Sequence, residues 1–411
     1  MKNLLFALVF MFSAVNFAQT KSYNPEREKI NNLVHTKLKV DFNFEKSELN
    51  GEAWITLTPH FYPTNKVVLD AKWFKIHNVK VNGVKAPYNY TNNELTVELQ
   101  KTYKKGEEYT VYVNYIARPE EVKQIGSASI KDAKGLYFID PKDEDPNKPT
   151  QIWTQGETES SSCWFPTIDT PNQKTSQEIY MTVPAKFVTL SNGELISQTN
   201  NSNNTRTDYW KMDEKHAPYL FFMGVGEFSV VKDIWNGKNV DYYVEKEYES
   251  VAKEIFGNTP EMMTFFSDLT GIPYPWDKYS QIVVRDYVSG AMENTTAVVH
   301  GEDAQQKKGQ LIDSNEWEGT IAHELFHHWF GDLVTTESWA NLTVNESFAT
   351  YSVYLWYYYK YGKDRADAHM YNDIQIYLQS ESENKNLVRF YYVDKEDMFD
   401  TVSYHKGSAI L

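Results

Sequence analysis

The first half of the chain alternates between apolar and polar residues, which is the period of strands with one buried face. Residues 38–44 and 109–115 are two runs of this kind. Asn-Gly pairs, which favour tight hairpin turns, begin at positions 50, 82, 192 and 236. From about residue 33 to residue 231, the pattern therefore predicts an antiparallel, β-sandwich-like domain.

After about residue 245 the apolar residues follow helical spacing instead. Residues 248–269 predict two helices interrupted near residue 257, with Thr259 capping the second helix and Pro260 beginning it. Residues 281–288 have the composition of a strand, and helical patterns predominate from about residue 316. The second half is therefore predicted to be mostly helical.

A length of 411 residues, with 41% hydrophobic and 15% aromatic residues, is enough to build two packed domains. Because no internal repeat and no Gly/Ser linker separates the two patterns, we expect an α+β multidomain fold whose domains pack directly. The predicted bounds are 19–232 for the N-terminal β-rich domain and 233–411 for the mostly helical domain. A helical pattern begins near Leu411 without a C-terminal stop signal, so we expect a C-terminally truncated chain.

The N-terminus has the composition of a secretory signal peptide. Lys2 precedes an apolar run at residues 4–15, which is too short to cross a bilayer, and small residues follow up to Ala18. The pattern predicts removal of residues 1–18, no integral membrane segment afterwards, and export to the periplasm or the extracellular space. Cys163 is the only cysteine, so an intramolecular disulfide is excluded.

Net charge argues against one class of partner. Acidic residues outnumber basic residues by 56 to 41, which gives a formal net charge of −15. Such a balance is unfavourable for binding polyanions, so we expect neither nucleic acid nor an anionic membrane as the main partner. The sequence leaves the oligomeric state open.

The strongest chemical signal is the stretch IAHELFHHWFGDL at residues 321–333. His323 and His327 are four positions apart, so a helix would place both imidazoles on one face, within reach of a single ion. Glu324 lies beside that line, where it could accept the proton of a water activated by the metal. His328 is rotated by about 100° from His327 on a helix, and we interpret it as a packed or surface histidine.

A zinc site of this kind needs a third protein ligand. Glu346 follows at the predicted start of a second helix, after a connection that begins near Gly331, where the first helix is expected to end. A short connection makes the two helices neighbours, which would bring Glu346 back toward the histidines. The alternative interpretation is that Glu346 only stabilises the N-terminus of its helix through the helix dipole.

Taken together, several motifs between about residue 150 and the end of the chain resemble one known family. The pattern His323-Glu324-x-x-His327 with a later Glu346 resembles the zinc aminopeptidases of the aminopeptidase N family, which are gluzincins. SGAMEN at residues 289–294 resembles the exopeptidase motif of that family, and Tyr404-His405-Lys406-Gly407 resembles its Tyr-x-Lys-Gly. WTQGETESSSCWFPTIDTPNQK, at residues 153–174, resembles the segment that contributes Gln-x-Glu to the site. The resemblance implies a thermolysin-like zinc peptidase domain after the β-rich domain.

The resemblance implies a role for each residue of the metal centre. His323, His327 and Glu346 would bind one zinc ion per chain. Glu324 would be the general base that takes a proton from water and later passes it to the leaving amine. Tyr404 would donate a hydrogen bond to the oxyanion of the transition state.

The resemblance also implies how a peptide with a free N-terminus would be held. Glu157 and Glu293 would bind the protonated α-amine through charge-assisted hydrogen bonds. Gly290 and Ala291 lack bulk and would let the backbone approach the substrate. Gln155 would line the pocket for the first side chain. The expected activity is removal of the N-terminal residue from peptides.

The sequence departs from the family pattern in places, and two alternatives stay open. Thr343 replaces the usual tryptophan before the third ligand, and we expect the truncated chain to lack the large helical portion that family members carry after the Tyr motif. One alternative is therefore a non-catalytic truncated product that binds zinc and peptide. The other is an epoxide hydrolase-like member, although Ala291 favours the peptidase because the epoxide-hydrolysing relative carries glycine there.

Overall fold

The structure is a computed structural model that describes residues 22–123 and 130–411. The predicted signal peptide, residues 1–18, lies outside the described residues. Within those two ranges, no helix is long and apolar enough to cross a membrane.

Strands dominate the first half of the chain, as the alternating pattern predicts. In order they are β1 Ser22–Tyr23, β2 Asn31–Asn43, β3 Glu48–Pro59, β4 Thr64–Asp70, β5 Phe74–Val81, β6 Val84–Lys85, β7 Tyr88–Thr91, β8 Glu94–Tyr103, β9 Tyr109–Ala117, β10 Leu136–Ile139, β11 Gln151–Thr154, β12 Thr175–Pro184, β13 Val188–Ser191, β14 Glu194–Asn200, β15 Thr205–His216 and β16 Met223–Gly226. In β3 and β9, buried and partly exposed residues alternate without a break. The period of two in the sequence therefore corresponds to one buried face on each strand.

An eight-stranded sheet with the order β14-β15-β12-β2-β3-β9-β5-β6 forms the largest layer of this half. Smaller sheets have the orders β10-β11-β16-β13 and β4-β8-β7. The pairing of β12 with β2 is parallel, whereas the expectation from the hairpin signals was antiparallel pairing throughout. This pairing joins strands that are far apart in the sequence, so no local turn signal specifies it.

A second group of elements forms the second half of the chain. The remaining strands are β17 Ser229–Trp235, β18 Lys238–Val244, β19 Tyr279–Val284, β20 Ala291–Met292, β21 Ala297–Gly301 and β22 Tyr391–Tyr392. The helices are α1 Ala252–Phe256, α2 Thr259–Thr270, α3 Glu318–Phe326, α4 Thr343–Tyr361, α5 Lys363–Gln379 and α6 Gly407–Ile410. A five-stranded sheet has the order β17-β18-β19-β21-β20, which places β20 at its edge. The predicted boundary at residue 232 falls inside β17.

Two predicted helix ends differ from the structure. Asn258, not Thr259, is the N-cap of α2, and the Thr259 hydroxyl donates to the Phe256 carbonyl instead. The helix α3 ends at Phe326, with His327 as its C-cap, whereas the sequence predicted an end at Gly331. Gly331 has a φ of 141° in the turn that follows, so the glycine signal marks this turn and not the last helical residue.

The two halves share one hydrophobic core. Trp153 of the β-rich half packs in the same buried cluster as Ile282, Met292, Trp339 and Phe399 of the second half. This cluster confirms the prediction that the halves pack directly. The second half also has its own core, which includes Phe326 of α3 and Trp356 of α4.

Asn192 is a polar contact between the halves. Its side-chain amide donates to the carbonyls of Leu220 at 2.9 Å and Thr295 at 2.7 Å, and its Oδ1 accepts from the Phe222 amide at 2.8 Å. All of these groups are buried, so loss of the side chain would leave three backbone groups without a partner.

We therefore predict that Asn192→Ala lowers the free energy of unfolding by roughly 3 kcal/mol, because each buried group left unpaired costs about 1 kcal/mol or more. Urea denaturation followed by circular dichroism would measure the loss. Asn201→Ala, at an exposed position, is the matched control and should change stability by less than about 0.5 kcal/mol. Equal midpoints for Asn192→Ala and the control would contradict this account of the interface.

Candidate active site

The imidazole rings of His323 and His327 meet at their Nε2 atoms. His323 lies in α3 and His327 caps it, and their Nε2 atoms are 3.0 Å apart. The Nδ1 atom of His327 lies 2.9 Å from the Phe330 carbonyl, which can only accept, so Nδ1 carries the proton. The Nε2 atom of His327 is thereby left with its lone pair free for a metal.

Glu346 completes this cluster from the first turn of α4. Its Oε2 atom lies 3.4 Å from Nε2 of His323 and 3.5 Å from Nε2 of His327. Ser347, the next residue, donates to the Ser403 carbonyl at 2.7 Å and so ties α4 to the segment that carries Tyr404. The ligand atoms of His323, His327 and Glu346 all lie within 4.8 Å of one another. Two imidazoles and one carboxylate in this arrangement fit zinc and leave room for a further ligand.

Electrostatics favour a cation at this cluster. Burial alone would raise the pKa of Glu346. The charge of His327 and the hydrogen bonds to both histidines outweigh this effect and lower the pKa to about 2. Burial lowers the pKa of His327, whereas Glu293 and Glu346 raise it, and the net result is a raised pKa. The carboxylates thus favour a positive charge beside them, which a divalent ion would supply.

Glu324 is buried beside the cluster. One of its oxygens lies within 4.8 Å of ligand atoms of both Glu293 and His327. Burial raises the pKa of Glu324 well above its usual value, His327 opposes this shift, and Glu293 and Glu346 add to it. Its position within reach of both His327 and the cavity suits a general base.

Two further carboxylates form an acidic notch next to the cluster of His323, His327 and Glu346. Glu157 and Glu293 are 5% and 2% exposed, and an oxygen of each lies within 4.8 Å of an oxygen of Glu346. Among the described residues, the Oε1 atoms of Glu157 and Glu293 have no hydrogen-bond partner. Buried carboxylate oxygens without donors are costly, so a bound cationic group would stabilise this notch.

Both groups of residues face one cavity of about 690 Å³. Glu157, Glu293, Gly290 and Ala291 line it together with the cluster of His323, His327 and Glu346, and with Glu324 and Tyr404. A Cβ added to Gly290 would meet nothing within 4 Å, which is consistent with its position beside open space. Ala291 belongs to the edge strand β20, whose only strand partner within residues 22–123 and 130–411 is β21.

Tyr404 reaches the cavity from a single-turn π-helix, Val402–Lys406. Its ring stacks near His323, with centroids 6.3 Å apart. Burial, followed by the charge of Glu346, raises the pKa of Tyr404 well above its usual value. The phenol therefore keeps its proton at neutral pH and can act as a hydrogen-bond donor.

Gln155 does not line the cavity, contrary to the expectation from the sequence. Its side chain is buried, and its Oε1 accepts from the backbone amide of Glu157 at 2.7 Å. The chain turns back at this point, since the Ser160 amide donates to the Gly156 carbonyl at 2.7 Å. Gln155 thus supports the backbone of Glu157.

The far wall of the cavity contains residues that the sequence analysis did not single out. Asp373 of α5 lies with one oxygen 3.6 Å from His369 and the other 3.5 Å from His405, and Arg365 lines the same wall. The spacing of His369 and Asp373, four positions apart on a helix, was a signal that could have identified this pair.

His328 is packed in the interior, as interpreted from its position on the helix. Its Nε2 accepts from the Thr296 amide at 3.0 Å, and its Nδ1 lies 3.3 Å from the Glu324 carbonyl. Burial lowers the pKa of His328 to about 3. It therefore stays neutral at physiological pH.

Solved structures share this architecture. The M1 zinc metallopeptidase from Deinococcus radiodurans superposes with a TM-score of 0.75 at 19% identity, over 93% of this chain and 81% of that one. A variant from the same organism, bound to a Tyr-Ser-Ala substrate, also superposes with a TM-score of 0.75 at 19% identity, over 93% of this chain and 82% of that one. At this level of identity, the similarity establishes the fold.

Curated relatives are aminopeptidases. Probable aminopeptidase 1 of Sulfurisphaera tokodaii is 27% identical over 357 residues, which cover 84% of this chain and 42% of that protein. Glutamyl aminopeptidase of Homo sapiens is 29% identical over 266 residues, which cover 60% of this chain and 27% of that protein. The chain thus spans less than half the length of these relatives.

Two family profiles match consecutive parts of the chain. Residues 20–220 match the Peptidase M1 N-terminal domain, and residues 255–411 match the Peptidase family M1 domain. The matches follow the order of the β-rich half and the half that carries the histidine cluster. With the shared fold and the related aminopeptidases, they show that this chain belongs to peptidase family M1.

Proposed function

We propose that this protein is a zinc-dependent aminopeptidase that releases the N-terminal residue of peptides. The observation that carries the proposal is the position of the acidic notch of Glu157 and Glu293, next to the His323, His327 and Glu346 cluster in one cavity. A cluster suited to a metal and a notch suited to an ammonium group are the two parts that such an enzyme needs. The relatives named aminopeptidases, and the neighbour bound to a Tyr-Ser-Ala substrate, support a peptide as the substrate.

His323, His327 and Glu346 would hold the zinc ion. The bound ion supplies positive charge that polarises the scissile carbonyl and makes water more acidic. The three side chains come from α3 and α4, which pack against each other, so rigid elements fix their geometry.

Glu324 would act as the general base. It accepts a proton from the attacking water and donates this proton to the nitrogen of the leaving peptide, so the carboxylate is regenerated at the end of the cycle. Its burial and its position beside His327 and Glu293 place it between the cluster and the notch.

Tyr404 would stabilise the developing negative charge on the carbonyl oxygen. Its phenol keeps the proton, as its raised pKa requires, and its ring lies beside His323. A donor held in place before the reaction needs no reorganisation when the charge develops.

The notch would select a free amino terminus. An ammonium group would donate to the unpaired Oε1 atoms of Glu157 and Glu293, which satisfies two buried acceptors at once. The edge of β20, at Ala291, offers backbone groups along which an extended peptide can align, with Gly290 beside open space. The fixed distance from notch to cluster would place the first peptide bond for cleavage.

We also propose that the protein is exported. The apolar run at residues 4–15 after Lys2 supports this proposal. N-terminal sequencing of the protein secreted by a bacterial host should give Gln19 as the first residue, whereas retention of Met1 would contradict export through this segment.

The metal proposal predicts about one zinc ion per chain after metal-free protein is titrated with Zn²⁺. His323→Ala and Glu346→Ala should each weaken binding by at least about tenfold, because a three-ligand set loses one member. Metal content is measured by plasma mass spectrometry after dialysis. His60→Ala, which removes an exposed histidine of the β-rich half, should bind zinc like the wild type. Unchanged zinc content in His323→Ala and Glu346→Ala would refute the ligand assignment.

The general-base proposal predicts that Glu324→Gln keeps its zinc but loses turnover of an aminoacyl-anilide by at least about a hundredfold. The amide has nearly the same shape and cannot accept the proton. Glu254→Gln, an exposed substitution on α1, should retain full turnover. Loss of the metal in Glu324→Gln would mean that ligand and base have been assigned wrongly, and zinc binding by the wild type without any turnover would favour the non-catalytic alternative.

The notch proposal predicts that Glu293→Gln lowers kcat/KM for a free-amine substrate by about 10- to 100-fold, because one charge-assisted hydrogen bond is lost. An N-acetylated form of the same substrate, which carries no ammonium group, serves as the internal comparison. The preference for the free amine over the acetylated form should shrink by a similar factor. An unchanged preference would show that Glu293 does not bind the amine.

A further inference from the structure

We propose that Thr296 and His328 form a strut that sets the distance between the amine-binding notch and the general base. Both are positioning residues, since the strut acts through Glu293 and Glu324. The inference rests on the proposed function for the roles of these two glutamates. Its structural basis is independent of that function.

Thr296 occupies a backbone conformation that its side chain disfavours. Its φ is 65°, in the left-handed region that β-branched residues rarely adopt, and the residue is buried. The hydroxyl accepts from the Gly193 amide at 2.8 Å. The carbonyl accepts from the Ser280 amide at 3.0 Å and from Lys278 Nζ at 2.7 Å. Such a conformation persists only where the surroundings determine it, and here two separate segments, Gly193 and residues 278–280, do so.

The remaining polar group of Thr296 is its amide, which donates to Nε2 of His328 at 3.0 Å. Because Nε2 accepts, the ring proton is on Nδ1, which lies 3.3 Å from the Glu324 carbonyl and donates to it. Tyr274 stacks on the imidazole at 5.6 Å and Tyr279 meets it edge-on at 5.0 Å. The ring therefore has one orientation and one tautomer, and it connects a loop to the backbone of the predicted base.

The loop end of the strut is close to the notch. The Ala297 amide donates to the Asn294 carbonyl at 2.8 Å, so residues 294–297 form a tight turn immediately after Glu293. The Thr295 carbonyl is fixed by Asn192 of the β-rich half at 2.7 Å. A shift of Thr296 would therefore be transmitted to Glu293. An error of about 1 Å in such a spacing is enough to reduce catalysis by about a hundredfold.

The test compares His328→Gln with His328→Asn. The glutamine amide can accept from Thr296 and donate to Glu324, whereas the asparagine amide is one methylene shorter and cannot span both groups. We expect both variants to bind about one zinc ion per chain. The affinity for L-leucine, measured by calorimetry, should fall by about tenfold in His328→Asn and stay within about twofold of the wild type in His328→Gln. His216→Asn is the control for loss of a buried imidazole, because His216 contacts Gln177 and Phe221 instead of Thr296 or Glu324.

Hydrogen exchange of the segment 291–297 gives a readout that needs no turnover. Exchange should speed up in His328→Asn and not in His328→Gln or His216→Asn. Wild-type exchange and L-leucine affinity in His328→Asn would overturn the strut. If the wild-type protein neither binds L-leucine nor cleaves peptides, the proposed function fails, and the exchange rates alone then decide whether the strut exists.

Discussion

Four buried carboxylates in one cavity are the constraint on which the rest of the site depends. Glu157, Glu293, Glu324 and Glu346 lie close to one another and to His327, and burial raises the pKa of the first three. Charges of one sign cannot stay together in a low-dielectric interior without partners. Under the proposed function, the arrangement would become favourable when one cation binds between the histidines and Glu346 and a second binds between Glu157 and Glu293. A metal ion and a peptide ammonium group meet these two requirements.

The fold brings these groups together because both halves of the chain contribute to one core. Glu157 comes from the β-rich half, whereas the other three carboxylates come from a loop beside β20 and from α3 and α4. Trp153, which lies shortly before Glu157, packs against Tyr287 and donates to the Arg285 carbonyl at 3.0 Å. The spacing of the site therefore depends on packing between domains as much as on either domain alone.

Local patterns predicted much of this arrangement. The alternation along β3 and β9 predicted the buried face of each strand. The four-residue spacing of His323 and His327 predicted that their imidazoles meet. Both features are local properties of the chain. The parallel pairing of β2 with β12 could not be predicted, because it depends on chain segments that meet only in the folded protein. For the same reason the sequence assigned Gln155 to the pocket, although its Oε1 accepts from the Glu157 amide. The contacts of His328 were equally hidden, because its partner Thr296 lies on a different element.

The central claim is that a metal ion and an ammonium group neutralise the four carboxylates. Its most direct test is anomalous diffraction from crystals of zinc-loaded protein grown with L-leucine. The account predicts one zinc peak within bonding distance of His323 Nε2, His327 Nε2 and Glu346. It also predicts that the amino group of L-leucine lies within hydrogen-bonding distance of Glu157 and Glu293. A zinc peak away from this cluster, or an amino group that avoids both carboxylates, would contradict it.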